Sequence, residues 1–145
     1  MIALLQRVSE ARVSVAGRIC GEIGPGLLAL IGIRPADDAP AGRRLLERLL
    51  DFRVFPDQAG RMNRSLRDCG GALLLVPQFT LAADTRSGTR PGFSTAAPAE
   101  QARTLFAALV QQAQALHAPV ASGEFGAHMQ VQLVNDGPVT FWLET

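Results

Sequence analysis

The sequence predicts a single α/β domain: a mixed, largely antiparallel sheet curved toward a barrel, with two main helices packed on it. Three observations carry this. Strand-like segments crowd both ends of the chain and helix-period stretches lie between them, in the order β-rich, helix, β, helix, β-rich. Two short runs, Leu27–Ile33 (LLALIGI) and Leu73–Val76 (LLLV), are continuously apolar, as strands buried on both faces are. The 145 residues suffice for one domain with a real core, and no repeat, low-complexity tract or linker divides residues 1–145.

Taken in order, Ile2–Val8 and Ala11–Val15 read as extended, and Ala11, Val13 and Val15 alternate with Arg12 and Ser14 as in a strand with one wet face. Gly17 permits a turn, so Arg18–Ile23 is expected as a hairpin partner. Gly24-Pro25-Gly26 breaks the chain before the Leu27–Ile33 strand, and Arg34–Pro40 is expected as a loop. Leu45, Leu46, Leu49 and Leu50 form the stripe of an amphipathic helix over Ala41–Asp51. Phe52–Phe55 is expected as a strand, Arg61–Ser65 and Ala82–Phe93 as loops. Pro98 opens a helix running to Leu116, buried through Leu105, Phe106, Leu109, Val110 and Ala113. Val120–Ser122 and Met129–Val134 are further strands, Asn135-Asp136-Gly137 is turn chemistry, and Val139–Leu143 is the last strand.

Composition excludes several chemistries. All 14 basic residues are arginine. Without lysine there is no Schiff base, no Ser-Lys dyad and no P-loop. Cys20 and Cys69 stand far apart, matching no metal spacing or CxxC pattern, and His117 and His128 form no ligand pair. Buried free thiols, no metal and no cofactor are expected. No apolar run approaches the roughly 18 residues that span a bilayer. Gln6 and Arg7 interrupt the apolar N-terminus too early for a signal peptide, so a cytoplasmic protein is expected. Net charge is +1, but between Ala41 and Arg67 seven arginines face three acids, a modest footprint for a phosphate backbone.

Two stretches carry candidate chemistry. Leu73–Leu81 begins as a buried strand and delivers Pro77, Gln78 and Thr80 at its end, where a rigid support presents polar groups well. Ala82–Phe93 follows it as a loop bearing Arg86 and Arg90, a position that commonly carries function. The second stretch is Asn135–Thr140, NDGPVT. No GxSxG elbow is present, which disfavours an ordinary serine hydrolase.

Six motifs run the length of the chain in order: QRV (Gln6, Arg7, Val8), RVFPDQAGRMN from Arg53 through Asn63, QFTL (Gln78, Phe79, Thr80, Leu81), the GxRPxF loop (Gly88, Arg90, Pro91, Phe93), GxFGxxM (Gly123, Phe125, Gly126, Met129) and NxGPVT (Asn135, Gly137, Pro138, Val139, Thr140). In them the chain resembles, end to end, the D-aminoacyl-tRNA deacylase family. The resemblance implies hydrolysis of the ester of D-aminoacyl-tRNA and of mischarged glycyl-tRNA, releasing amino acid and tRNA, as chiral proofreading in translation. It implies no cofactor, a homodimer, and tRNA rather than DNA or membrane as partner. Gln78, Phe79 and Thr80 are the implied catalytic segment. Gly137 and Pro138, joined by a cis bond in the family, enter the other subunit's site, where a backbone carbonyl admits a D-residue and clashes with an L side chain. Arg7, Phe125, Met129 and Asn135 support the site, and Arg64, Arg86 and Arg90 are candidates for tRNA contact.

Pro77 departs from the pattern, standing where the family usually has serine. Any role of that hydroxyl or amide is lost here. A related animal branch also has proline there, but replaces the phenylalanine by alanine and is linked to mischarged L-alanine. Phe79 is retained here, which favours the D-specific branch. Editing of an L-aminoacyl ester, or tRNA binding without catalysis, are the alternatives. An aminoacyl ester is already activated, so positioning and backbone N–H stabilisation of an oxyanion can carry most of the effect, with the ribose 2′-OH helping to activate water.

Overall fold

The computed structural model describes residues 1–145 and is a nearly closed, mixed sheet with helices on its outside. Its elements are β1 (Ile2–Val15), β2 (Arg18–Ile23), β3 (Gly26–Gly32), α1 (Ala39–Asp51), β4 (Phe55–Pro56), β5 (Met62–Arg64), α2 (Leu66–Cys69), β6 (Ala72–Pro77), α3 (Ala99–Leu116), β7 (Val120–Ser122) and β8 (Met129–Glu144). The sheet runs β2-β1-β3-β6-β7, with β8 along the other side of β1. Antiparallel pairs surround β1, while β3, β6 and β7 are mutually parallel. β2 curls back on β7: a Cβ built at Gly21 would lie 2.6 Å from the Ser122 carbonyl oxygen.

The continuous apolar runs are continuous because both their faces are covered. Leu27, Ala29, Ile31, Leu73 and Leu75 point toward α1 and α3, joining a core of 20 buried residues with Leu45, Leu46, Leu49, Leu50, Phe106 and Leu109. Their neighbours Leu28, Leu74 and Val76 point into the curl, joining a core of eight with Val8, Ala11, Val13 and Ile23. Along β1, Ala3 and Leu5 belong to the first core, while Val8, Ala11 and Val13 belong to the second. A side chain's face alternates with period two, so Val8 and Ala11 can share a face only if one residue is inserted between them. The ladder with β8 slips there, from Val8↔Asn135 to Glu10↔Val134, leaving Ser9 as the extra residue.

Several expectations need correction. Ile2–Val15 is one bulged strand, and Phe52–Phe55 is extended but only Phe55–Pro56 pairs, against β5. Arg61–Ser65 is not a plain loop: it supplies β5 and then the cap of α2, where Ser65 Oγ accepts the Asp68 N–H at 3.2 Å and Asp68 accepts the Ser65 N–H at 2.8 Å. Pro40 belongs to α1, whose cap is Asp38, accepting the Ala41 N–H at 2.8 Å. Cys20 and Cys69 are free thiols but only half-buried. Asn135–Gly137 does not turn the chain between two strands; Met129–Glu144 runs through as β8. No helix is long and apolar enough to cross a membrane.

Candidate functional site

Parallel strands present their carboxyl ends together, and ligand crevices of open α/β sheets form there. At that end of β6 the chain leaves the sheet through Pro77 and Gln78 and enters a 3₁₀ turn, Phe79–Ala82. The Gln78 N–H still donates to Ile31 O at 2.7 Å. Alternation along the strand therefore aims position 77 the other way, past the end of β7, which stops at Ser122 opposite Leu75. Pro77 thus costs the ladder no hydrogen bond, and the donor it removes is on the open side.

That open side is a cleft of about 460 Å³. Val76, Pro77, Gln78 and Phe79 form one wall, Ala97 just before α3 with Ala99 and Ala102 at its start a second, and Phe125 through Met129 with Val131 a third. The lining is mostly apolar, with Gln78 and His128 as its polar side chains. The amides of Phe79 and Thr80, the first two of the 3₁₀ turn, find no acceptor in the chain. Two adjacent unpaired N–H donors beside an apolar cleft are suited to binding a carbonyl oxygen that is gaining charge. Thr80 stands just outside the lining, and its hydroxyl accepts from Gln78 Nε2 at 2.6 Å. An amide donor cannot take a proton, so nothing here activates that hydroxyl as a nucleophile. Phe79 is 57% exposed and packs against Phe93, ring centroids 5.0 Å apart.

The second stretch lies elsewhere in the chain. On β1 and β8, Gln6 faces Thr140 and Val8 faces Asn135, so Asp136–Val139 oppose Arg7 alone and are extruded as a four-residue excursion. Asn135 closes its base, donating through Nδ2 to Arg7 O at 2.9 Å and to Val139 O at 3.1 Å. Arg7, half-buried, holds its flank: Nε bonds the Asp136 carboxylate at 3.0 Å and Asp136 O at 3.2 Å, while Nη1 donates to Val54 O. Gly137 has φ +133°, and a Cβ there would lie 2.6 Å from Val139 Cγ2. Only glycine fits. The Gly137–Pro138 bond is cis, as is Ala118–Pro119.

The structure therefore gathers Gln78, Phe79, Phe125 and Met129 around one cleft, and Arg7, Asn135, Gly137 and Pro138 around the excursion. Neither Gly137 nor Pro138 lines the cleft. Of the three candidate tRNA contacts, Arg64 donates to Asp68 O and Arg86 is bound to Asp84 at 2.8 Å, which holds that carboxyl far below the usual range; Arg90 is unpaired. Sequence reasoning missed the alanines at the start of α3, whose smallness leaves room for the cleft, and His128 on its rim. A small-residue spacing of Ala99 and Ala102 on a helix is a readable signal. The carbonyl of Val54 that anchors Arg7 leaves none, because every residue has one.

The family profile described as D-Tyr-tRNA(Tyr) deacylase matches residues 4–144. A D-aminoacyl-tRNA deacylase of Thioalkalivibrio sulfidiphilus is 64% identical over 144 residues, covering 99% of this chain and 97% of that one. Among solved structures, one described as c-Myc DNA Unwinding Element Binding Protein superposes with a TM-score of 0.95 at 37% identity, covering 100% of this chain and 99% of the other. Another, described as a probable eukaryotic D-amino acid tRNA deacylase, has a TM-score of 0.84 at 17% identity, covering 99% and 98%, and is a likeness of fold alone.

Proposed function

Because the chain belongs to the D-Tyr-tRNA(Tyr) deacylase family, we propose that the cleft at the end of β6 hydrolyses the ester of D-aminoacyl-tRNA, releasing D-amino acid and tRNA and so proofreading translation. The observation that carries this is the pair of unpaired amides, Phe79 and Thr80, at the mouth of a mostly apolar cleft. The ester carbonyl oxygen sits against those donors, which bind it more tightly as it becomes an oxyanion. Water attacks the carbonyl carbon, helped by the neighbouring ribose 2′-OH, and the 3′-oxygen leaves with a proton. Thr80 orients Gln78 rather than attacking.

The site is completed by a second copy of the chain. The excursion and the cleft do not meet within one chain, and β8 leaves its outer edge unpaired while Val134, Phe141 and Trp142 are 51%, 37% and 48% exposed. A long bare edge with apolar side chains calls for a partner. In the homodimer Gly137-Pro138 enters the partner's cleft, places a carbonyl against the substrate's α-carbon, and leaves no room for an L side chain. Glycine, having none, is also hydrolysed. The 145 residues work as one domain, in the cytoplasm where tRNA is charged.

The test is deacylation of matched D-tyrosyl-, L-tyrosyl- and glycyl-tRNA at one salt concentration. Loss of the D and glycyl esters with the L ester spared is expected. Cleavage of the L ester would assign the chain to the proline-containing branch, and binding without cleavage of any would refute an enzyme.

A further inference from the structure

We propose that Arg103 binds the phosphate joining the terminal adenosine of the substrate tRNA to the nucleotide before it, an inference that rests on the cleft being the deacylase site. On α3, Ala99 and Ala102 line the cleft and Phe106 packs behind it against Phe125, ring centroids 6.3 Å apart. Arg103 lies on the same stripe, one turn after Ala99 and one before Phe106. Its guanidinium carbon is 5.0 Å from the centre of the Phe125 ring, and Nη2 is 3.6 Å from where a Cβ on Gly126 would stand. Phe125 and Gly126 are both cleft wall. The cation is thus held at the wall by the ring face, with its donors uncommitted.

The charges around it leave it free for an external anion. The acids next to these elements are turned elsewhere: Glu124 holds Arg18 at 2.9 Å, and Glu100 borders a separate depression with Asp37 and Asp38. The cleft lining contains no carboxylate. A nucleoside seated in the cleft by its 3′-ester carries its next phosphate on the 5′-oxygen. The uncommitted guanidinium beside the Phe125–Gly126 wall is a cation placed within reach of the cleft to meet it. A guanidinium matches phosphate with paired N–H donors and gives up its hydration more readily than an ammonium. Arg103 is accordingly a substrate-positioning residue, separate from the groups that hold the reacting carbonyl.

The experiment compares wild type, Arg103→Met, which keeps the stem on Phe125, and Arg103→Lys, which keeps the charge. Two substrates are used: D-tyrosyl-tRNA, and the D-tyrosyl ester of free adenosine, which has no phosphate. For R103M on the tRNA substrate, kcat/KM is expected to fall about tenfold at low salt, through KM, the size of one lost charge-assisted contact. The slope of log kcat/KM against log salt becomes shallower by about 0.7, one phosphate contact on a single strand. R103K recovers part of the loss, and the nucleoside ester shows no comparable loss. An equal loss on both substrates would make Arg103 a packing residue for Phe125 and overturn the proposal, as would an unchanged KM and salt slope on tRNA. Failure of the wild type to cleave either D-ester would overturn the deacylase reading, and this proposal with it.

Discussion

Replacing Thr80 by valine removes one hydroxyl and keeps the branched shape, and the structure says how much activity that should cost. The hydroxyl is exposed, lies outside the cleft lining, and has Gln78 Nε2 as its contact at 2.6 Å. Loss of an exposed hydrogen bond costs about 1 kcal/mol of stability at most, since water replaces it. For the reaction, removing a preorganised oxyanion donor typically costs about 2.7–4 kcal/mol. In the proposed mechanism the oxyanion donors are the Phe79 and Thr80 amides. The Thr80 hydroxyl acts one step removed, by bonding the Gln78 side chain next to them, so about half the lower figure is expected, roughly 1.4 kcal/mol or tenfold in rate. A nucleophile would behave differently, because removing one typically costs about 10⁴-fold or more. Single-turnover hydrolysis of D-tyrosyl-tRNA by T80V and T80S, with mass spectrometry of acid-quenched enzyme, separates the two. A loss of four orders of magnitude in T80V that T80S restores, or an acyl adduct on Thr80, would refute the positioning role.

Gly26→Ala places a Cβ 1.9 Å from the Ala72 carbonyl oxygen in the parallel β3–β6 ladder, whereas Gly24→Ala meets nothing within 4 Å. The first should lose about 3 kcal/mol or more and the second almost nothing, read as shifts in the urea midpoint; equal midpoints would contradict the close approach. The Asp57 carboxyl is held below the usual 3.8, first by Asn63 Nδ2 and then by the Arg61 N–H, so its contribution is present at neutral pH and lost as pH falls through the lowered value. Asn63→Ala should raise that pKa in an NMR titration, and an unmoved curve would show the contact is not made in solution. Val134→Arg should give a monomer by sedimentation velocity with deacylation lost alongside. A fully active monomer would exclude the shared site.

What could be read from the sequence divides along physical lines. Strands β3 and β6 were legible because burial on both faces leaves only apolar side chains, though not that they pair in parallel. Helix α1 was legible through its leucine stripe and α3 through Leu105, Phe106, Leu109, Val110 and Ala113. The one-turn helix α2 was not, since four residues carry no period; its signal was the Ser65–Asp68 cap. The motifs located the cleft residues Gln78, Phe79, Phe125 and Met129. They could not show that Asn135–Gly137, with the composition of a turn, is an excursion inside a strand, because that depends on which residues of β1 stand opposite. Nor could they show that Arg86 is occupied by Asp84, a pairing decided by loop geometry.

The four residues from Asp136 to Val139 hang between two locked stretches of one ladder, Gln6–Thr140 on one side and Val8–Asn135 on the other. Register is reset on both sides, so an exchange of side chains within the excursion does not slide the strands. Content is still constrained at Gly137, where only glycine fits, and at Asp136, which Arg7 holds. The placement of the segment is carried instead by the pairing of β1 with β8 on either side of it, which does not depend on the side chains the segment displays.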